Sequence, residues 1–256
     1  MKISACMPHR NYFEHVVNTL ESLRNQNLRL HEIVIMDDES DNGDWERLIS
    51  LWEKWDHQTI LTLRRLENNP ADCRSKRIPY CRNQAFMALT EVPDYLFFPD
   101  ADDLWNEGYT RRCVDIMEED KTIDFVYPDV THVDNEPGKK RLQGKRVKRH
   151  IDVSEFNVDA LFRICYIPYC SIMRTSAFLD AGMWPEDHYK KEYVFWNIMA
   201  RTGHKGKRLP GRWFLYLQHA AQRHREFKDV GGQENPDRHE RYNSRLYISN
   251  KFNIQQ

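Results

Sequence analysis

Long apolar runs are absent from this sequence of 256 residues. None approaches the roughly 18 consecutive apolar residues that a membrane-spanning helix needs, so we expect no membrane span. Residues 1–8 are mostly apolar, but the stretch is too short, and is broken too soon by Pro8, for a secretory signal peptide. We therefore expect a first β-strand at this position and a cytoplasmic protein.

Cysteines with the spacing of a metal or redox site are also absent. The six cysteines contain no CxxC pair; they are Cys6, Cys73, Cys81, Cys113, Cys165 and Cys170. In a chain of this length they make no disulfide framework, and without paired spacing they argue against a zinc site. We expect reduced thiols.

Basic residues are scarce in the first half of the chain and acidic residues in the second. Residues 1–137 hold 15 Lys and Arg against 27 Asp and Glu, and residues 138–256 hold 23 against 12, although the whole chain carries only −1. This asymmetry indicates that the halves meet different partners. The alternative is that they neutralise each other across an interface. Hydrophobic residues make up 40% of the chain, enough for a packed core.

Strand-like and helical segments alternate along the first half. Apolar strand-like runs cover residues 2–7, 32–36, 59–66 and 95–98. Between them we expect a helix capped by Asn11 and further helices over 45–55 and 80–89. This alternation predicts an α/β fold with a parallel sheet and crossover helices, in which ligands bind at the carboxyl ends of the strands.

Beyond residue 124 the pattern is less regular. We expect strands over 124–130, 171–174 and 214–218. We expect helices opening at Ser154, over 193–200, and in the tail after Pro236.

Two acidic clusters directly follow predicted strands. In Asp100-Ala101-Asp102, two carboxylates two residues apart can share one hard divalent cation, whose other ligands are often substrate phosphates. The alternative is an acidic turn that caps the next helix, but the strand-end position favours the functional interpretation. In residues 37–41, a strand-end carboxylate can accept a hydrogen bond from a ribose hydroxyl or a base N–H. Taken alone, that second cluster is equally well interpreted as a solvated acidic loop.

A glutamate on a predicted helix is the third candidate. Glu192 lies among aromatic residues and beside Lys190 and Lys191. A carboxylate there can act as the general base for an acceptor hydroxyl; burial would raise its pKa and the lysines would lower it. The alternative is a surface glutamate in an ordinary helical salt bridge.

Four motifs, in this order, resemble the inverting glycosyltransferases of family 2. They are residues 7–11 with 20–26, residues 35–41 (similar to the family's VDDGSxD segment), residues 82–85 with 98–103 (similar to its RN and LDADD motifs), and residues 167–182 with 192–196. The likeness runs from about residue 2 to about residue 219. It implies the GT-A nucleotide-sugar-binding fold, a mixed, mostly parallel sheet flanked by helices in a single domain. Residues 1–130 would form the donor-binding part, and residues 131–256 the acceptor-binding part with the basic segment and a C-terminal helix.

The resemblance also implies donor-binding residues. Asp38 would contact the nucleotide base in a pocket lined by Pro8 and Arg10, and a UDP-sugar is the favoured donor. Arg82 would lie near the uracil or the pyrophosphate. Glu39 stands where the family usually has glycine, and Arg10 where tyrosine is common, which leaves the identity of the donor open.

Metal and catalytic roles follow from the same resemblance. Asp100, with Ala101 beside it, would hold the ribose and, together with Asp102, a Mn²⁺ or Mg²⁺ ion. His219 matches a C-terminal histidine that can reach the metal or the pyrophosphate. Glu192 falls on the second acid of the family's ED motif, the catalytic base of a single displacement with inversion.

Lys191 replaces the first acid of the ED motif and so leaves one carboxylate instead of two, which would lower the pKa of the base. The next candidate for the base is Asp187.

The acceptor is the least determined part of the hypothesis. Basic residues among aromatics in the second half suit an anionic acceptor, and we expect contacts from Lys145, Arg146, Lys191 and Trp213. A glycan, a lipid diphosphate and a nucleic acid are all open, and so is the oligomeric state. The alternatives are a transferase acting on modified-base DNA and a non-catalytic nucleic-acid-binding protein. A phosphatase is disfavoured because Leu104 stands where that chemistry usually needs Thr or Val.

Overall fold

The computed structural model describes residues 1–55, 58–70, 74–134, 147–188, 190–218 and 236–254, with backbone alone for 74–76 and 236–242. The described residues up to Phe97 form the predicted parallel α/β arrangement. Its strands and helices alternate as β1 (Ile3–His9), α1 (Phe13–Arg24), β2 (Glu32–Asp37), α2 (Asp44–Trp52), β3 (Ile60–Arg65), α3 (Arg74–Met87) and β4 (Tyr95–Phe97). The four strands pair in parallel in the order β3-β2-β1-β4.

The rest of the described chain extends this sheet with mixed pairing. Its elements are β5 (Leu104–Trp105), α4 (Tyr109–Glu119), β6 (Phe125–Asp134), β7 (Val147–Ile151), α5 (Val158–Arg163), β8 (Ile172–Arg174), α6 (Thr175–Asp180), α7 (Lys191–Arg201), β9 (Gly206–Gln218) and α8 (Pro236–Phe252). Within the described ranges the strand order is β3-β2-β1-β4-β8-β6-β9-β5, with β7 paired to β6. Strand β8 is antiparallel to both neighbours, whereas β6 and β9 are parallel. The result is the mixed, mostly parallel sheet flanked by helices that the resemblance implies.

Helices cover both faces of the sheet, because neighbouring strand residues point to opposite sides. Leu96 and Phe98 pack in one core with residues of α3, α6 and α7, whereas Phe97 packs in the other with residues of α1, α2 and α4. With both faces buried, a central strand must be apolar at every position, which explains the continuous run in β2. None of the helices in the described ranges has the length and apolar character to cross a bilayer.

The two predicted helix caps are wrong. Asn11 adopts a left-handed φ of 57° and binds Asp41 through both its amide nitrogen and its oxygen. Helix α1 begins two residues later, and the N–H of Phe13 is instead accepted by the Asp44 carboxylate at 2.9 Å. Helix α5 does not open at Ser154; its N-cap is Asn157, whose side chain accepts the N–H of Ala160 at 2.8 Å.

Several boundaries also differ from the sequence predictions. Helix α3 begins at Arg74 rather than at residue 80, and β9 begins at Gly206 rather than at residue 214. Strand β5 and helix α4 were not predicted at all. The acidic turn after β4 does not cap α4, whose N-cap is Gly108, so the alternative interpretation of that turn is wrong. The five cysteines within the described residues are free thiols, as expected.

Candidate active site

A cavity of about 470 Å³ lies where β1, β2 and β4 end. We call it the donor cavity. Its lining comes from both parts of the chain: Pro8, His9, Arg10, Tyr12, Asp38, Ile78, Cys81, Asp100, Ala101, Asp102, Tyr169, Glu192 and Tyr216. The carboxyl ends of parallel strands meet at one edge of the sheet, which brings the two predicted acidic clusters together.

The two aspartates at the end of β2 have different tasks. Asp37 is fully buried and accepts hydrogen bonds from His9 Nδ1 at 3.0 Å and from the backbone N–H and hydroxyl of Ser40. Although burial raises its pKa, these hydrogen bonds outweigh that effect and lower the pKa of Asp37. Asp37 therefore holds the loop after β2 in shape, and Asp38 is the aspartate that faces the donor cavity.

Asp38 is held by groups that the sequence analysis did not single out. Its carboxylate accepts a bidentate pair of hydrogen bonds from Arg77, Nε at 2.9 Å and Nη2 at 2.8 Å, and a third from Asn69 at 2.8 Å. Arg10 donates to the Asp38 carbonyl at 3.1 Å. The signal for Arg77 is its helical spacing: it lies four residues before Cys81, on the face of α3 that lines the cavity.

Glu39 illustrates why glycine is usual at its position. Its φ is 58°, in the left-handed region that glycine adopts at little cost. The Glu39 side chain pairs with Arg77, and this hydrogen bond is the main cause of its lowered pKa. Arg77 thus joins two adjacent carboxylates at the rim of the donor cavity.

Arg82 connects the turn after β4 with helix α7, which belong to the predicted donor and acceptor parts. Its guanidinium is buried and donates to Asp100 Oδ1 at 2.8 Å and to Glu192 Oε1 at 3.4 Å. Burial lowers the pKa of Arg82, but the two carboxylates raise it by a larger amount. The net pKa is raised, so Arg82 stays charged. The rings of Tyr169 and Trp184 lie 5.0 and 4.8 Å from its guanidinium carbon. Arg82 was predicted to lie near the uracil or pyrophosphate; in the structure it positions Asp100 and Glu192.

Three carboxylates converge after β4. One oxygen each of Asp100, Asp102 and Asp103 lies within 4.8 Å of the other two. Desolvation, together with the charge of Asp102, raises the pKa of Asp100 despite the attraction of Arg82. Desolvation and the neighbouring carboxylates also raise the pKa of Asp103 well above its usual value. Carboxylates that destabilise one another's charge fit a hard divalent cation, which would compensate them.

The turn that carries these carboxylates is held by hydrogen bonds from helix α1. The Thr19 hydroxyl donates to the carbonyl oxygens of Ala101 and Asp103, at 3.0 and 2.9 Å. Asp103 is fully buried and accepts hydrogen bonds from the Tyr169 hydroxyl and from the Leu217 N–H. Asp103 therefore points into the protein, whereas Asp100 and Asp102 line the donor cavity.

Glu192 enters the cavity from the first turn of α7. Its carboxylate is 28% exposed, and the ammonium of buried Lys191 lies 3.6 Å from Oε1. Burial raises the pKa of Glu192, but Lys191 and Arg82 lower it by more, so the net shift is downward. The carboxylate is consequently ionised at neutral pH and can accept a proton.

The remaining predicted residues do not meet at this cavity. Trp213 donates to the Pro210 carbonyl at 2.9 Å and packs on Gly108, where an added Cβ would come within 2.9 Å of the indole. Asp187 is largely exposed and is not among the lining residues. Lys145, Arg146 and His219, which were also predicted site residues, lie outside the described residues.

The sequence analysis did not identify the aromatic residues that line the donor cavity. Tyr12 was not singled out, and Tyr169 appeared only within a motif. Tyr216 is one of the aromatic residues that lie among the basic residues of the second half, and it lines the donor cavity together with the other two. The signal for Tyr216 is its alternation with buried Leu215 and Leu217 along β9, which turns it to the opposite face of the strand.

Solved structures with the same fold are nucleotide-sugar enzymes. A structure of S. aureus TarS in complex with UDP-GlcNAc matches with a TM-score of 0.70 at 16% identity, over 100% of this chain and 68% of that one. A mannosyltransferase of Pyrobaculum calidifontis in complex with GDP-Man and Mn²⁺ matches with a TM-score of 0.63 at 14% identity, over 96% of this chain and 69% of that one. None of the curated proteins matches the chain.

The sequence itself carries the family assignment. The family model for glycosyl transferase family 2 matches residues 4–182, which is more than half of the chain and includes both acidic clusters. Together with the GT-A fold of the solved structures, this match shows that the chain is a glycosyltransferase and belongs to glycosyl transferase family 2.

Proposed function

We propose that this chain is a metal-dependent, inverting glycosyltransferase that moves a sugar from a nucleotide diphosphate donor to a hydroxyl acceptor. The observation that carries the proposal is one cavity shared by Asp38, the Asp100–Asp102 turn and Glu192. Three different chemical tasks, binding a base, holding a diphosphate and accepting a proton, are thereby brought within the length of one nucleotide sugar.

Donor binding is supported by the polar groups at the ends of β1 and β2. Asp38 would accept a hydrogen bond from the nucleotide base, with Pro8 and Arg10 beside it in the lining. A UDP-sugar is the favoured donor, because TarS is described with UDP and UDP-GlcNAc. GDP-Man, bound by the Pyrobaculum enzyme, is the comparison donor.

Asp102 and Asp100 would hold a divalent cation, Mn²⁺ or Mg²⁺, and His219 stays a further predicted ligand. When bound, such a cation neutralises charge on the diphosphate. The chain's own contribution is to fix the two carboxylates: Arg82 orients Asp100, and Thr19 fixes the backbone of the turn.

Glu192 would act as the base. Its carboxylate takes the proton of the acceptor hydroxyl as that oxygen forms a bond to the anomeric carbon, and the bond from this carbon to the diphosphate oxygen breaks. The nucleoside diphosphate leaves with the bonding electron pair. A single displacement of this kind inverts the configuration of the anomeric carbon. The family match ends at residue 182, before α7, so the role of Glu192 is supported by its place in the cavity; its lowered pKa keeps the carboxylate ionised there.

The acceptor would be a glycan or an anionic polymer, contacted by Lys191. Lys145, Arg146 and Trp213 stay further candidates for this contact. Two alternatives from the sequence are a transferase acting on modified-base DNA and a non-catalytic nucleic-acid-binding protein. The second of these predicts no reaction with any nucleotide sugar.

The test measures release of nucleoside diphosphate from UDP-GlcNAc, other UDP-sugars and GDP-Man, with Mn²⁺ or Mg²⁺ and with chelator. We expect turnover with one donor, lost with chelator. Asp102→Asn and Glu192→Gln should each lower turnover by about 100-fold or more while leaving the melting temperature close to that of the wild type. Asp187→Asn is the matched control and should behave as wild type. No release from any donor contradicts the transferase proposal, and near-normal turnover of Glu192→Gln moves the base elsewhere.

A further inference from the structure

A second cavity, of about 280 Å³, lies where α5, α7 and α8 meet. We call it the basic cavity. Its lining is Arg163, Ile164, Cys165, Lys190, Tyr193 and Arg245. Three of these residues are cationic, and none of the described lining residues carries a carboxylate. A concave surface with several cations and no anion is arranged for an anionic ligand.

One cation of the basic cavity, Arg245, is held by contacts with the neighbouring helices. The Arg245 guanidinium, on α8, donates to the carbonyl oxygen of Arg163 at the end of α5. Arg245 also interacts with the hydroxyl of Tyr193, which in turn donates to the Phe162 carbonyl at 2.8 Å. Lys190 is the N-cap of α7, an 11-residue helix whose positive end adds to the potential there. An arginine fixed in this way loses little freedom when it binds a phosphate oxygen.

The basic cavity adjoins the proposed base. Lys190 and Tyr193, which line the basic cavity, flank Glu192, which lines the donor cavity, on the same turn of α7. Desolvation and then the charge of Glu192 raise the pKa of the Cys165 thiol to about 12. The two cavities are therefore neighbours at the first turn of α7, with Glu192 in the lining of one and its sequence neighbours in the lining of the other.

We propose that the basic cavity binds a phosphate ester of the acceptor and so places a neighbouring hydroxyl at Glu192. This inference rests on the proposed function and specifies the acceptor as a phosphorylated polyol or sugar. Guanidinium groups recognise phosphate through paired, charge-assisted hydrogen bonds, and the cavity offers Arg163 and Arg245 with Lys190 as a third cation. Its volume suits a phosphate group with a few carbon atoms rather than a folded macromolecule.

The first arm of the test measures binding without catalysis. Inorganic phosphate and glycerol 1-phosphate are titrated against the wild type and Arg163→Ala/Arg245→Ala, with chloride keeping the ionic strength constant and the melting temperature as readout. We expect the half-saturating concentration of each to rise about tenfold or more in the double variant. Arg112→Ala, an exposed arginine on α4, is the matched control and should titrate as wild type. If the wild type, the double variant and Arg112→Ala all give the same half-saturating concentrations, the proposal is overturned.

The second arm compares glycerol 1-phosphate with glycerol as acceptors, using the donor identified above. We expect the wild type to prefer the phosphorylated acceptor in kcat/KM by about tenfold or more and the double variant to lose this preference. Hydrolysis of the donor without acceptor should stay unchanged. Equal use of both acceptors by the wild type overturns the acceptor assignment. If no donor reacts at all, the proposed function fails, and the first arm still decides whether the anion site exists.

Two further measurements keep the outcome clear. If helix α8 fails to dock in the double variant, the single variants Arg163→Gln and Lys190→Met replace it, because both leave Arg245 in place. Each should weaken phosphate binding by a smaller factor than the double variant. A ten-nucleotide single-stranded DNA is titrated in parallel. Tighter binding of this DNA than of glycerol 1-phosphate, lost in the same variants, would overturn the small-ester assignment in favour of nucleic acid.

Discussion

The predicted donor part, residues 1–130, and the predicted acceptor part, residues 131–256, contribute to the site in different ways. In residues 1–130, the predicted donor residues Pro8, Arg10, Asp38 and Asp100 line one cavity, because each lies at or just beyond the carboxyl end of one of the neighbouring parallel strands β1, β2 and β4. Beyond residue 131, of the acceptor residues within the described ranges, Lys191 reaches this cavity only through its neighbour Glu192, and Trp213 packs elsewhere. Parallel strands converge at one edge by a general rule, whereas mixed pairing and long connections give no comparable guide.

The structure shows how part of the charge asymmetry between the two halves is compensated. Some of it is neutralised within the molecule: Arg208 pairs with Asp129 at 2.7 Å, and Arg174 with Glu118 at 3.7 Å. These pairs support the interpretation that part of the asymmetry is neutralised between the two halves. The interpretation that the halves meet different partners stays a prediction.

Arg82→Met breaks the connection between the two parts and should have the largest effect. It leaves the carboxylates of Asp100 and Glu192 without their shared cation, and loss of one partner of a buried pair costs about 3–5 kcal/mol. Urea denaturation should show this loss, with donor turnover reduced about 100-fold or more. Arg111→Met, at an exposed pair on α4, should change neither property. Wild-type stability in Arg82→Met would contradict the bridging role.

Arg77→Met sharpens the comparison within the donor part alone. Asp38 loses its bidentate partner and keeps Asn69, which should lower the free energy of unfolding by about 1–3 kcal/mol. The KM of the donor should change while kcat is largely retained, because Arg77 holds Asp38, the proposed contact of the nucleotide base. Arg64→Met, an exposed arginine on β3, is the matched control. An altered kcat with an unchanged donor KM would contradict this placement.

Lys191→Met tests the base from the acceptor part. Lys191 lowers the pKa of Glu192, so its removal should raise that pKa. A base must be ionised, and its activity is lost as the pH falls through its pKa, so the acid limb of kcat/KM should move to higher pH in the variant. Lys205→Met, at an exposed lysine, should leave the limb unchanged. An unmoved acid limb in Lys191→Met would indicate that another group titrates.

Trp213→Phe should have the smallest effect on activity. The indole fills the space over Gly108, outside the donor cavity, so we expect a loss of stability of about 1 kcal/mol and a change in acceptor KM below twofold. A large rise in acceptor KM at wild-type stability would place Trp213 on the acceptor path, as the sequence analysis predicted.

Sequence reasoning succeeded where a local pattern determines position. The apolar run of β2 and the four apolar residues before Asp100 identify buried parallel strands, and the strand-end rule then brings Asp38 and Asp100 together. It failed where position depends on distant partners. Asn11 was expected to cap α1, but Asp44 of α2 accepts the first N–H instead.

Other residues of the site could not be predicted from the sequence for the same reason. Arg77 precedes the predicted start of α3, and its contact with Asp38 spans 39 residues of sequence. Tyr169 reaches Asp103 across 66 residues, through the placement of a loop that no periodicity describes. Arginine is common in helices and tyrosine in loops, so the residue types alone give no signal. Only the tertiary structure shows the partners of Arg77 and Tyr169.

The central claim is that Asp102 and Asp100 hold a divalent cation that joins the protein to a diphosphate. Calorimetric titration of UDP in Mn²⁺ and in chelator, for the wild type and Asp102→Asn, tests it most directly. We expect tight binding for the wild type in Mn²⁺, with affinity falling about tenfold or more in chelator or in the variant. Equal affinity in all four titrations would contradict the claim.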